Sequence, residues 1–440
     1  MDNNNISLQL IFGISLLCIQ LVVLKRFSGA KKFTSPIYVI IITYLFIGIA
    51  GYFSYVFFPD VVYADTKINA FILRITDNEA FFTLVYFFNA VNAIVFGAII
   101  FSVSRMTLPR PKNRRKKVYV KSSNLKFGKK INTEEKIKNT VDFNIVLLSC
   151  FLTNLSFVLG VGFNNLLIAE SYLDVENKAL ATISSLALYM TSALLGYALA
   201  ESKEVYKKLI FLLLILINLL LVFSTASRRM AVVPILFTTG YNFNLNRNQK
   251  IGKLMIAVCA LFVLPLLSLP LSLRGLQSHG LIPYFQYLRE INPIDLFGVN
   301  GVFKNIIFSF PLTFKVTEYR NEFDISYFLT SINPMLGDGT NWYEIKDDLR
   351  LNYFTPFNLL GEAYLYGDLI FYLFFSTIGL LTMHISHTAE NISSTRKGKI
   401  FALILTALTM AFSIFSIQYN TRAALRYLYW AVIESLIARK

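Results

Sequence analysis

The stretch KKLIFLLLILINLLLVFSTASRRMAVVPILF, residues 207–237, decides the kind of fold this chain adopts. From Leu209 to Phe223 every residue but Asn218 is apolar; a short run of small residues and the pair Arg228-Arg229 follow, and a second apolar run returns through residues 230–243. A chain that enters hydrocarbon must satisfy its own backbone polar groups, which leaves the helix as the solution for such a run. The stretch therefore reads as a helical hairpin, with lysines at its base and arginines at its tip.

Outward from it the same pattern repeats. Candidate spans begin at Ile6, Pro36, Ala80, Val141, Ala179, Leu209, Ile251, Pro356 and Lys399, each near the twenty or so apolar residues a bilayer requires. Residues 230–243 and 426–437 are shorter, and alternation of the segments requires them to cross as well. The sequence thus predicts an all-α integral membrane protein, a polytopic bundle of about eleven transmembrane helices, within ten to twelve, forming one membrane domain over residues 1–440. Composition excludes a soluble chain: 55% of residues are hydrophobic and only 15% charged. The first span lacks a basic flank and a cleavage pattern, so it is expected to be retained. Cys18, Cys150 and Cys259 fall in separate apolar spans without metal-ligand spacing, so they read as ordinary lipid-facing or core residues.

A net charge of +16 invites a nucleic-acid reading, but the charges follow a membrane pattern. The stretches 25–32, 105–138, 203–208, 247–253, 396–399 and 439–440 hold 28 of the 42 basic residues. The positive-inside rule places them in the cytoplasm, with the basic loop 105–140 as the strongest signal and the N-terminus outside. That loop is also suited to anionic headgroups of the membrane lipid. The remaining 14 basic residues fall outside, and nine of these are arginine against eight of the 28 inside. Topology needs only positive charge, whereas bidentate capture of phosphate needs the guanidinium fork. Arg228-Arg229 at the hairpin and Arg422 with Arg426 at the last outer turn therefore stand as candidate anion ligands, against the alternative that they snorkel to headgroups.

A long extracytoplasmic loop, residues 273–355, separates two spans and is too rich in aromatic and apolar residues for disorder. It begins with Arg274, His279, Arg289 and Glu290, continues through an apolar stretch, 302–314, expected to lie along the membrane interface, and ends in a turn-rich approach to the next span. His279 is the one histidine on this face and is a candidate base or phosphate ligand; His384 and His387 fall at a cytoplasmic span end. Glu362 is expected just inside a span, where it serves either helix packing or general-base chemistry. Tyr284, Tyr287, Trp342 and Tyr353 are candidate sugar-stacking rings, or interfacial anchors. Asp338, Asp347 and Asp348 show no defined metal spacing, and no metal or other cofactor is expected.

The segments STASRRMAV (224–232), SLRGL (272–276), PFNLLGEAYLYGD (356–368) and NTRAALR (420–426), taken in order, resemble the bacterial O-antigen and capsule repeat-unit polymerases of the Wzy type, which include the enterobacterial common antigen polymerase. The hairpin departs from the commoner glycine-rich run with one arginine, and either Arg228 or Arg229 can take that place. The resemblance implies a fold like that of C-type glycosyltransferases in a bacterial cytoplasmic membrane. It implies an undecaprenyl-diphosphate-linked oligosaccharide as substrate and leaves open a chain-length regulator as a partner, while the membrane pattern of the charges speaks against nucleic acid. Arg228, Arg229, Arg274, Arg422 and Arg426 would then bind diphosphate, with Glu362 or His279 as base and Tyr284, Trp342 and Tyr353 against sugar, in an inverting, metal-independent transfer. Three alternatives stand beside this one. A lipid-linked oligosaccharide flippase would show internal repeats, which the sequence lacks; an O-antigen ligase shares fold and donor; a membrane acyltransferase would carry an early histidine, and none precedes His279.

Overall fold

The computed structural model describes residues 3–28, 35–58, 75–107, 142–171, 174–244, 248–291, 308–320, 322–335, 339–352, 355–393 and 396–438. Most of the basic loop, and residues 292–307 of the outer loop, lie outside the described residues. The described chain is almost entirely helical. Its first half holds α1 (Asn3–Ser28), α2 (Pro36–Phe57), α3 (Asp77–Thr107), α4 (Phe143–Val161), α5 (Phe163–Leu167), α6 (Lys178–Glu201) and α7 (Val205–Phe223). A 3-10 turn, Arg228–Ala231, runs directly into α8 (Val232–Phe243), and α9 (Gln249–Arg274) and α10 (Leu281–Glu290) follow. The outer loop contributes α11 (Ser309–Thr317), α12 (Ile325–Ile332), α13 (Trp342–Ile345) and a two-stranded antiparallel ribbon, Arg350–Asn352 with Thr355–Pro356. Helices α14 (Leu359–Leu365), α15 (Asp368–Ile392), α16 (Arg396–Gln418) and α17 (Thr421–Ile437) complete the chain.

Seven of these helices, α2, α3, α4, α6, α7, α15 and α16, are long and apolar enough to cross a membrane among the described residues, where about eleven spans were expected. Helices α1 and α9 reach 26 residues each. Helices α8 and α17, which strict alternation would have cross, have 12 and 17 residues, or ~18 Å and ~26 Å of helix.

Several starts follow from local chemistry. Asp142, Asn177, Asn358 and Asn420 each turn a side-chain oxygen onto a first-turn N–H of α4, α6, α14 and α17, at 2.9–3.0 Å. The broadest helix contacts are α3 with α15 and α6 with α8, and both crossings are made by glycines facing backbone. A Cβ on Gly97 would stand 1.8 Å from the Ser376 carbonyl, and one on Gly379 1.9 Å from that of Ile94. Gly196 and Gly240 relate α6 to α8 in the same reciprocal way. Helices α3 and α16 are central, with 67% and 72% of their apolar windows buried, whereas α7 is peripheral at 17% and turns leucines outward.

Two expectations about the outer loop change. The apolar stretch 302–314 was expected at the interface; its described part instead forms the start of α11, buried in the bundle. Phe310 stacks on Tyr55 and Phe87, each at 5.9 Å, and Gly51 leaves the space its ring fills. The span expected to begin at Pro356 begins at Asp368, because Gly367 takes φ +93° and ends the short helix α14 that precedes it. Asn358 fixes α14 onto α11: fully buried, it donates to the Ser309 carbonyl (3.2 Å) and the Thr313 hydroxyl (2.7 Å) while capping α14.

Candidate functional site

Two groups of candidate residues form at the ends of the helices. The first surrounds the hairpin after α7. Ala226 there is fully buried with φ +42°, an unfavourable conformation for a residue with a Cβ. Arg274, at the end of α9, donates from Nε to the Ala226 carbonyl at 3.0 Å and so braces the turn that presents Arg228 and Arg229. The backbone of these two arginines forms the 3-10 turn, while their side chains lie outside the described residues. Beside it the backbone of His279 exchanges two 2.8 Å hydrogen bonds with Ala169, and its Nδ1 meets the Tyr284 hydroxyl at 3.0 Å. Burial makes the imidazole harder to protonate, opposed by the Asp174 carboxylate.

The second group joins α12, α14 and the start of α17. Arg422 is 3% exposed. Its Nη1 donates to the Thr330 carbonyl at 2.8 Å, its Nη2 to the Met335 carbonyl and to the Thr340 hydroxyl, and its guanidinium lies 5.1 Å from the Trp342 ring centroid. Every one of these partners is neutral, and Nε is buried without an acceptor. Glu362, on α14, is fully buried and accepts the Thr421 N–H through Oε2 at 3.2 Å, while Oε1 is unpaired. The Ser331 and Thr421 hydroxyls stand near enough to favour the ionised carboxyl, yet both are themselves buried without a partner in bonding geometry. Burial outweighs them and raises the carboxyl above its ordinary 4.5. The Tyr366 hydroxyl, close enough to Glu362 to feel its charge, is likewise buried and unpartnered, and its ring packs on Phe328 at 5.1 Å. Among the described residues the Arg422 Nε and the Tyr366 hydroxyl thus lack a partner, and the Ser331 and Thr421 hydroxyls have only the Glu362 carboxyl near them.

The remaining candidates separate. Helix α17 confirms that Arg422 and Arg426 stand one turn apart, but Arg426 is exposed and shares none of the partners described for Arg422. Tyr284 is corrected: it is wholly buried, with its ring against Phe223 and its hydroxyl on His279, and a ring with no open face offers no platform to a sugar. His279, 5% exposed and tied through both backbone and ring, fastens the loop. Trp342 is drawn into the second group by Arg422, Tyr287 packs half-buried against the core, and Tyr353 lies outside the described residues. Asp347 pairs with Arg350 at 3.2 Å, Asp348 accepts from Tyr327 at 3.1 Å, and Asp338 lies outside the described residues. Among the described residues no three acidic, histidine or cysteine side chains gather as a metal site.

Sequence reasoning missed Ser331, Tyr366 and Thr421. Their hydroxyls are unremarkable in the sequence, and 90 positions separate Ser331 from Thr421. No family model, curated protein or solved structure matches this chain.

Proposed function

We propose that this protein is a glycosyltransferase of the membrane that polymerises lipid-diphosphate-linked oligosaccharide repeat units on its outer face, in the manner of the Wzy-type enzymes its motifs resemble. One observation carries the reading: among the described residues Arg422 is a buried cation held by neutral groups alone, beside a buried carboxylate. A buried guanidinium without a counter-ion is costly, and an anionic ligand offsets that cost.

The two ends of the group suit different parts of the reaction. The Arg422 end attracts the diphosphate of the donor, whose negative charge grows as the glycosidic bond to it breaks. The Glu362 end repels phosphate and suits a neutral sugar hydroxyl, which donates to the carboxylate and accepts from Tyr366 or Ser331. In the transfer, the acceptor oxygen forms the new bond to the anomeric carbon, its proton passes to Glu362, and the electron pair of the broken bond leaves with the diphosphate. Attack from the side opposite the diphosphate inverts the anomeric centre. The hairpin arginines and Arg274 supply further cations for lipid-linked diphosphate. Undecaprenyl diphosphate as the carrier, a bacterial cytoplasmic membrane as the location and a chain-length regulator as a partner belong to this reading.

The decisive experiment gives the purified full-length protein a lipid-linked repeat unit, with no nucleotide sugar, and resolves the products by size. A ladder of lengths is expected. Transfer of a single glycan to a lipid A core acceptor would indicate a ligase, and movement of the lipid across the bilayer with no new bond a flippase; either outcome overturns the polymerase reading.

A further inference from the structure

Arg422 holds a stretch of the outer loop that little else in the bundle holds. Ser331, near the end of α12, and Leu349 are both buried, and among the described residues between them none is. Met335 and Tyr343 are 65% and 56% exposed. Helix α12 itself is fixed, because Phe328 packs on Tyr366 and Phe374, each at 5.1 Å. Beyond it the chain is tied to α17 at few points. The Tyr429 hydroxyl donates to the Ile332 carbonyl, and Arg422 donates to the Met335 carbonyl and the Thr340 hydroxyl while its guanidinium packs on Trp342. Trp342 and Ile345 also pack, partly buried, against the small cluster about Leu349. A stretch with so few buried contacts belongs to the low-stability part of a fold.

The donors of Arg422 show what this stretch does. A guanidinium has five N–H groups, and Nε together with Nη2 forms the side edge that grips a phosphate through two parallel bonds. Nη1 caps the end of α12 through the Thr330 carbonyl at 2.8 Å, a bond that belongs to the fixed helix. Nη2 has two hydrogens and two acceptors, the Met335 carbonyl and the Thr340 hydroxyl, whereas Nε has no acceptor among the described residues. The edge suited to phosphate is thus taken up by the loop at one nitrogen and left unused at the other. A phosphate can grip it only when Met335 or Thr340 gives way, and a charged acceptor outcompetes a neutral one for the same donor.

We propose that residues 332–335 and 339–348 form a strap, closed over Arg422 by the chain's own oxygens, that lipid-linked diphosphate displaces as it binds. The inference rests on the reading of Arg422 as a diphosphate ligand. The Met335 carbonyl and the Thr340 hydroxyl stand in for phosphate oxygens, so strap and substrate compete for one cation. Tyr429 stabilises the closed form alone, since its bond runs to the Ile332 carbonyl and not to the guanidinium. Removing that hydroxyl therefore favours the open form, and a ligand that binds only the open form gains affinity.

The test uses full-length protein in detergent carrying Trp430→Phe, which leaves Trp342 as its one tryptophan. Farnesyl diphosphate is the probe: its binding is measured with tritiated material, and the strap is followed by acrylamide quenching of Trp342. Saturating probe should raise the quenching constant. Adding Tyr429→Phe should raise quenching without probe and tighten binding about fivefold, the factor one hydrogen bond contributes when only the open form binds. Binding with quenching unchanged would overturn the strap while leaving a diphosphate site in place. Binding that Tyr429→Phe weakens or leaves as it was would overturn it as well. Absence of binding in both proteins would overturn the diphosphate reading, and the strap with it.

Discussion

Arg422 and Glu362 are charged side chains held almost wholly out of solvent, and burial sets the properties by which each can be tested. Arg422 makes three directed hydrogen bonds and a ring contact, a pattern only a planar guanidinium can satisfy. Arg422→Lys keeps the charge and loses the fork, so polymerisation should fall by about 10²-fold or more, while the protein still elutes as a folded species. Retained activity in the lysine variant would show that charge alone suffices and remove Arg422 from the proposed diphosphate site. For Glu362 the sign follows from burial. Its raised folded-state value means that its contribution to stability is complete below about pH 4.5 and is lost as pH rises through the raised value. Over that same window the carboxylate forms, so a base at this position makes kcat/KM rise with pH along a limb displaced above 4.5. Glu362→Gln should abolish the limb and lower the rate by about 10²- to 10⁴-fold. An unchanged profile in that variant would assign the proton to another group. Both residues are legible in the sequence because a charge beside an apolar run is conspicuous. Ser331, Tyr366 and the burial of Tyr284 are not, since they depend on which distant segments meet.

Helices reveal themselves in sequence when an apolar run ends in polar residues, and α2, α3, α4, α6, α7, α15 and α16 all do so. What escapes is a break inside a run. Residues 356–374 are apolar enough to pass for one span, and the chain divides there only because Gly367 adopts a left-handed conformation. Helix α11 escapes for a related reason, because nothing local in residues 309–317 states that Phe310 fills the space Gly51 leaves in the bundle. The glycine crossings are a property of pairs of elements and can be tested as such. Gly97→Ala places a methyl group against the Ser376 carbonyl of α15, so the helices must separate and shed contact along their length. A loss of about 1–3 kcal/mol is expected, seen as a lower melting temperature in detergent. Gly339→Ala, with nothing among the described residues within 4 Å of the added carbon, is the matched control and should melt with the parent. Equal melting of the two variants would mean that α3 and α15 do not approach as closely as described.

At the scale of the molecule, the two ends of the bundle have different chemistry. The end that carries residues 203–208 brings Asp142, Glu201 and Glu204 together with Lys203 and Lys207, and the other gathers Arg274, the hairpin and the Arg422–Glu362 group. Function on the outer face requires the second end to be the extracytoplasmic one, which the positive-inside rule supports through lysine-rich stretches and the arginine-rich exceptions oppose. Two exposed positions decide between them: Asp347, beside the Trp342 segment, and Lys203, in the turn between α6 and α7. Cysteines introduced singly at these sites, in a chain whose Cys18, Cys150 and Cys259 are replaced by serine, should differ toward a membrane-impermeant maleimide. In sealed right-side-out vesicles position 347 should label at once and position 203 only after permeabilisation. The reverse pattern would put the buried arginine on the cytoplasmic side, where lipid-linked sugars are assembled from nucleotide donors rather than polymerised, and would remove the basis for a repeat-unit polymerase while leaving the fold intact.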